Sequence, residues 1–255
     1  LGMAGPPRGS CAATSSPGGV GLTEGERDMI GRHETARPDG RQRFDLADAY
    51  AVETPDDNRG LYARWASTYE SGFITANGYV YHLGVAGAFA ESATVDDGPV
   101  LDVGCGTGLV GEALRSFGPW VVDGLDLSPE MLDEARAKST GDGSPVYGDL
   151  HVADLTATLD LATGGYGAVV SCGTFTHGHV GPGAFDELHR IARPGALFAI
   201  GINPEHFTNL GFTARFASDV AAGRITEPVV HRVQTYASGD HVGQVSPVVV
   251  FRTLC

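Results

Sequence analysis

From about residue 98 onward the chain alternates short apolar runs with stretches whose apolar residues recur at helical spacing. The runs at 100–103, 120–126, 150–153, 166–172 and 196–200 are bounded by turn residues and read as strands of a buried parallel sheet. Leu109, Ala113 and Leu114 follow the first run at helical spacing, and Phe185, Leu188 and Ile191 follow the fourth. After the second run, Ser128-Pro129-Glu130 opens a helix: a capping hydroxyl, a proline in the first turn and an acid near the positive end. Strands alternating with helices predict an α/β sheet. A helix over about 204–222 comes next. Two last strands, 226–237 and 241–253, are joined by Ser238-Gly239-Asp240, a hairpin signal.

Upstream of the sheet the pattern changes. Residues 1–40 are rich in Gly, Pro, Ser and Arg, lack periodicity and are expected to be disordered. They hold no continuous apolar core of the kind a secretory signal needs. Residues 41–94 read as a helical cap and 95–255 as the main domain. In the cap, Asp57 or Asn58 is placed to open a helix whose one face carries Leu61, Tyr62, Trp65 and Tyr69. A second helix is expected over about 75–92, with Tyr79, Val80, Leu83, Val85 and Phe89; Gly78, Gly84 and Gly87 weaken its regularity. The aromatic stripe has two readings, core packing and a lid in which Trp65 and Tyr69 cover a cationic ligand and exclude water.

Composition narrows the function classes. The 255 residues suffice for a sizeable core, and 42% are apolar, as in an ordinary globular domain. No apolar run is long enough for a membrane span, so no membrane partner is expected. Lys and Arg number 17 against 31 Asp and Glu, a net charge of −14 with no basic patch, which argues against a nucleic-acid partner. The four cysteines, Cys11, Cys105, Cys172 and Cys255, form no C-x-x-C pair; no metal site is expected, and reduced thiols in a cytoplasmic protein fit best.

The candidate chemistry centres on the end of the first strand, Val100-Leu-Asp-Val-Gly-Cys-Gly-Thr-Gly108. Alternate glycines (Gly104, Gly106, Gly108) let backbone approach a ligand at the carboxyl end of a strand. A dinucleotide-type G-x-G-x-x-G fits only from Gly106 through Gly111, two residues late. Asp102 beside that turn disfavours a pyrophosphate and suits a ligand with positive charge. S-adenosylmethionine (SAM) carries an ammonium and a sulfonium and no phosphate. Asp126 ends the second strand 24 residues after Asp102 and is placed to accept hydrogen bonds from ribose hydroxyls. A NAD-dependent oxidoreductase and a non-catalytic SAM-binding protein stand as alternatives.

Asp102-Val-Gly-Cys-Gly-Thr-Gly108 closely resembles the first motif of class I SAM-dependent methyltransferases, and Asp126-Leu-Ser-Pro-Glu-Met-Leu132 resembles the D-x-S-x-x-M-L motif of that family. Tyr62-x-x-Trp65-Ala-x-x-Tyr69-Glu70, Thr176-His-Gly-His-Val180 and Glu187-Leu-His-Arg190 look like the Williams–Beuren-region methyltransferase-like group over roughly residues 60–212. The resemblance implies a Rossmann-like seven-stranded sheet of order 3-2-1-4-5-7-6 with strand seven antiparallel, preceded by the helical cap. It places Asp102, Gly104, Cys105, Gly106, Thr107, Gly108, Asp126, Leu127, Met131 and Ser171 around the cofactor. Asp154 would receive the adenine amino group beside Leu155.

Transfer of a methyl from SAM is an in-line displacement that leaves a neutral thioether, so the leaving group needs no acid; a protonated nucleophile needs a base. The loop after the fourth strand carries His177 and His179, the candidate bases, with Phe175 and Tyr79 as further acceptor contacts. The expected activity is methyl transfer to a small-molecule O, N, S or C nucleophile by a monomer or homodimer.

Overall fold

The computed structural model describes residues 55–176, 180–239 and 241–255. The segment 1–40, the first part of the cap at 41–54, His177, His179 and Asp240 lie outside the described residues.

Seven strands form one sheet: β1 Val100–Val103, β2 Val122–Asp126, β3 Leu150–Val152, β4 Tyr166–Phe175, β5 Ala192–Ile202, β6 Val229–Gln234 and β7 Val245–Arg252. Their order is β3-β2-β1-β4-β5-β7-β6, as expected. The first five run parallel, and β7 pairs antiparallel with both β5 and β6. Helices α1 (Pro55–Trp65), α2 (Tyr81–Ser92), α3 (Leu109–Phe117), α4 (Pro129–Ala137), α5 (Ala184–Ile191), α6 (Pro204–Asn209) and α7 (Phe212–Ala221) surround it. No helix among the described residues is long and apolar enough to cross a membrane.

Period-two alternation divides the strands between two cores. Val100, Val122, Val170 and Ala199 pack with Val85 and Phe89 of α2 and with Val110 and Leu114 of α3. Leu101, Val103, Val169 and Phe198 pack with Phe185 and Leu188 of α5 and with Phe212 and Phe216 of α7. A third, small cluster joins Leu61, Trp65 and Ala66 to Met131 of α4. It helps to hold the helical segment before α2 to the sheet domain.

The structure corrects several boundaries. The helix expected over 75–92 breaks at Gly78, which takes a left-handed φ of 60°. The break turns the backbone toward the end of β6: Val80 N donates to Thr235 O and Ala237 N to Gly78 O. The helix expected over 204–222 breaks likewise before α7, at Gly211 with φ 84°. β4 runs three residues past Cys172, to Phe175, because Phe175 is buried against Phe185 and Phe212.

Candidate functional site

The carboxyl ends of β1 to β4, together with α1, the turns after it and the start of α2, line a cavity of about 1130 Å³ measured out to its open mouth. Such a crevice is where open α/β sheets take their ligands.

Its floor is the turn after β1. Gly104 N and Cys105 N both donate to Leu125 O, which holds the turn against β2. Gly106 N donates to Asp126 Oδ2 and Ser128 N to Asp126 Oδ1, each at 2.9 Å. The carboxylate is thus fixed from behind, and each oxygen keeps a further lone pair for a ligand. Burial pushes the Asp126 carboxyl up, and the amides of Ser128 and Gly106 pull it back toward the charged form. Gly106 has φ 54°, and a Cβ added there would meet no atom within 4 Å. Its backbone therefore forms an open cradle, the kind of surface a ligand covers. Ser128 Oγ accepts from Met131 N at 3.3 Å and caps α4. At the end of β3, Asp154 Oδ1 accepts from the amide and hydroxyl of Thr156 at 2.8 and 2.7 Å.

Asp102 stands elsewhere. It shares the face of β1 with Val100, away from Leu101 and Val103, and so points beneath α3 rather than into the cavity. Its Oδ2 accepts from the Tyr147 hydroxyl at 2.7 Å, and Oδ1 is buried with no hydrogen-bond partner among the described residues. Burial pushes its pKa up to about 7, against the opposing pull of Tyr147. The expected contact between Asp102 and a ligand's positive charge gives way to a structural role. Tyr147 also accepts from Gly111 N at 3.2 Å, in the first turn of α3. That turn is capped by Gly108, which has no side chain to offer, so the phenol supplies the missing cap. A Cβ at Gly111 would fall 2.3 Å from the Tyr147 ring, which explains a glycine inside a helix.

The opposite wall is aromatic. Tyr62, Tyr69, Tyr79 and His82 line it. Tyr69 stacks on Phe73 with ring centroids 5.4 Å apart, and Tyr79 stacks on His82 at 6.1 Å. The Tyr79 hydroxyl lies 3.4 Å from Cys172 Sγ of β4. Burial pushes the Tyr69 and Tyr79 phenols well above their ordinary range and the Cys172 thiol up to about 12. Burial also lowers His82, so its imidazole is neutral near neutral pH, and Arg59 of α1 brings a cation to the same cavity.

Of the candidate residues, Gly104, Cys105, Gly106, Thr107, Asp126, Leu127, Met131, Asp154, Leu155, Tyr69 and Tyr79 meet around this one cavity. Asp102, Gly108, Ser171, Trp65 and Phe175 are not in its lining. Ser171 Oγ donates to Val103 O at 2.8 Å inside the sheet, Trp65 packs against Met131, and Phe175 is core. His177 and His179 lie outside the described residues; Thr174 and Val180 on either side of them do line the cavity. His82 and Tyr147 carry no sequence signal of their own. Their roles come from contacts across the fold.

A family model described as a methyltransferase domain matches residues 100–195. Methyltransferase-like protein 27 of Homo sapiens is 33% identical over 145 residues, 55% of this chain and 55% of that protein. An 18S rRNA (guanine(1575)-N(7))-methyltransferase of Saccharomyces cerevisiae is 39% identical over 72 residues, 28% of this chain and 24% of that protein. The chain thus spans about half the length of the first relative and about a quarter of the second. A magnesium protoporphyrin IX methyltransferase from Synechocystis PCC 6803, solved with bound SAM, matches with a TM-score of 0.54 over 80% of this chain and 99% of its own, at 17% identity, a likeness of fold. Residues 100–195 thus match a methyltransferase domain, and the sheet order, the glycine turn and Asp126 are similar to those of class I SAM-dependent methyltransferases.

Proposed function

We propose that the protein transfers a methyl group from SAM to a small-molecule acceptor at an O, N, S or C nucleophile. The observation that carries this reading is the open cradle at Gly106, joined by its amide to a buried Asp126. In this reading Asp126 holds the ribose, Asp154 and Leu155 meet the adenine, and the helical segment before β1 closes the aromatic side. When bound, SAM supplies an electrophilic methyl whose transfer leaves a neutral thioether. In this reading the sulfonium lies beside the aromatic wall that holds Tyr69, and an aromatic ring attracts a cation by about 0.5–2 kcal/mol. His177 is the proposed base for a nucleophile that carries a proton, because its neighbours in sequence, Thr174 and Val180, reach the cavity.

Charge supports a small acceptor over a nucleic acid. Arg136, Lys138, Arg190, Arg215, Arg224 and Arg252 are each engaged by a carboxylate. The net charge of −14 works against a phosphate-backbone partner as well. The same balance and the thiols Cys105, Cys172 and Cys255, all free, fit the proposal of a cytoplasmic protein.

Calorimetry tests the cofactor half. SAM and S-adenosylhomocysteine should bind and NAD should not; tight NAD binding alone would favour the oxidoreductase alternative. Asp126→Ala should weaken S-adenosylhomocysteine by about 1.5–3 kcal/mol, the value of hydrogen bonds to a charged group. Methyl-labelled SAM, incubated with a cell extract split into small molecules and RNA, tests the acceptor half. Label in the small-molecule fraction supports the reading, label in RNA overturns it, and label in neither leaves a SAM-binding protein without transfer.

A further inference from the structure

Two buried polar atoms in the cavity wall have no hydrogen-bond partner among the described residues: Thr107 Oγ1 and His82 Nδ1. Nearly all buried polar groups in native proteins are satisfied, so a pair of orphans beside one cavity calls for a ligand. Thr107 belongs to the amino end of α3. It immediately precedes the capping residue Gly108, and its side chain is only 2% exposed. Leu109 and Val110, the first two residues of the helix, line the same cavity, and their amides are first-turn donors that the helix itself cannot satisfy. The third such amide, that of Gly111, is already taken by Tyr147.

His82 comes to this point from α2, which packs against α3. The charges that act on its imidazole are Glu70, Glu112 and Lys138. Glu112 sits in the first turn of α3, and the Lys138 side chain runs past Gly108. Those three groups close on one another, Lys138 Nζ lying 3.0 Å from Glu70 and 2.8 Å from Glu112. Tyr79 meets the ring by stacking. The imidazole therefore faces no unengaged carboxylate among these groups.

A helix amino terminus favours an anion, and a hydroxyl and an imidazole add two more donors. SAM has one anionic group, the carboxylate of its amino-acid end. With that end of SAM at the amino end of α3 beside Thr107 Oγ1, we propose that the His82 imidazole of α2 meets its carboxylate and takes up a proton as it docks. The inference rests on reading the cavity as a SAM site. In the free protein burial holds His82 below the ordinary histidine range, so it is neutral near pH 7. A carboxylate beside it favours the imidazolium, so affinity rises as pH falls.

The test is calorimetry on the full chain with two probes. One is S-adenosylhomocysteine; the other is S-adenosyl-3-thiopropylamine, which keeps the ammonium and lacks only the carboxylate. S-adenosylhomocysteine should bind the more tightly and take up a proton, read from the dependence of its enthalpy on the buffer's ionisation. The amine should take up none. His82→Gln should bind S-adenosylhomocysteine about tenfold more weakly, as expected for one lost hydrogen bond to a charge, bind the amine as before, and take up no proton. Thr107→Val should lose S-adenosylhomocysteine affinity selectively while keeping the proton uptake, and it carries the test if the histidine variant does not fold. Equal weakening of both probes, or unchanged S-adenosylhomocysteine affinity in both variants, overturns the proposal. If neither probe binds the unaltered protein, the SAM reading itself fails, a separate result.

Discussion

The Tyr147 hydroxyl donates to Asp102 Oδ2 at 2.7 Å while accepting from the Gly111 amide at 3.2 Å. One phenol thereby ties the end of β1 to the first turn of α3, directly beneath the glycine turn. Tyr147→Phe removes both bonds and leaves a buried carboxyl and a buried amide unpaired. The expected cost is about 2–3 kcal/mol, because an unmet buried group bears its full desolvation penalty. Urea unfolding should show it as a lower midpoint at unchanged slope. The same variant should bind S-adenosylhomocysteine more weakly, since the turn loses its support. A midpoint equal to that of the unaltered protein would show that the phenol does not hold the turn.

Asp102 also gives stability a particular pH dependence. In the unfolded chain it titrates near 3.9. In the folded protein burial pushes it up to about 7. Between the two values the folded state keeps a proton that the unfolded chain has released. Its contribution is therefore full below about pH 4 and is lost as pH rises through 7, a difference of up to about 4 kcal/mol. Asp102→Asn has no such proton. Unfolding free energies at pH 5 and pH 8 should fall for the unaltered protein relative to the variant. A constant difference across that range would mean that the carboxyl is ionised throughout.

Sequence legibility follows the reach of each interaction. The strands could be read because apolar runs and turn residues are local signals, and Asp126 and Asp154 because each sits at the tip of its own strand. The sheet order came from the motifs' resemblance to a family. An acid at a strand end is expected to face the ligand, but alternation along β1 turns Asp102 beneath α3 instead. Tyr147 was invisible because it meets Gly111 across 36 positions and Asp102 across 45, contacts that exist only once β3 lies next to β2. His82 was missed for a similar reason. Its site belongs to α3, and nothing around it in sequence indicates that helix.

Two glycines should separate binding from folding. At Gly106 an added methyl meets open space, and the cost to the fold is that of a left-handed alanine, about 1–2 kcal/mol. That methyl occupies the cradle, so Gly106→Ala should stay folded and lose S-adenosylhomocysteine binding. At Gly111 the methyl collides with the buried Tyr147 ring, 2.3 Å away. Gly111→Ala should lower the unfolding midpoint more than Gly106→Ala does, although alanine is the better helix former. The reverse order of midpoints would mean that Tyr147 moves aside at little cost.

The far end of the sheet carries the opposite pH dependence. Arg252 at the end of β7 makes a two-pronged contact with Asp97, Nη1 to Oδ1 at 2.6 Å and Nη2 to Oδ2 at 3.0 Å. The same carboxylate accepts from the amide and hydroxyl of Thr94 at 2.6 and 3.0 Å. Burial works against the Asp97 charge, but the hydrogen bonds from Arg252 and Thr94 outweigh it and hold the carboxyl below its ordinary range. Here the unfolded chain takes up a proton first as pH falls. The contribution is present above about pH 4 and is lost as the solution is acidified through the folded value. Asp97→Asn should cost about 1.5–3 kcal/mol at pH 7, the value of hydrogen bonds to a charged group, and progressively less below pH 4. The loss should appear in unfolding with no change in S-adenosylhomocysteine affinity, because neither Asp97 nor Arg252 lines the cavity. A variant that weakens ligand binding at unchanged stability would place Asp97 in communication with the site instead.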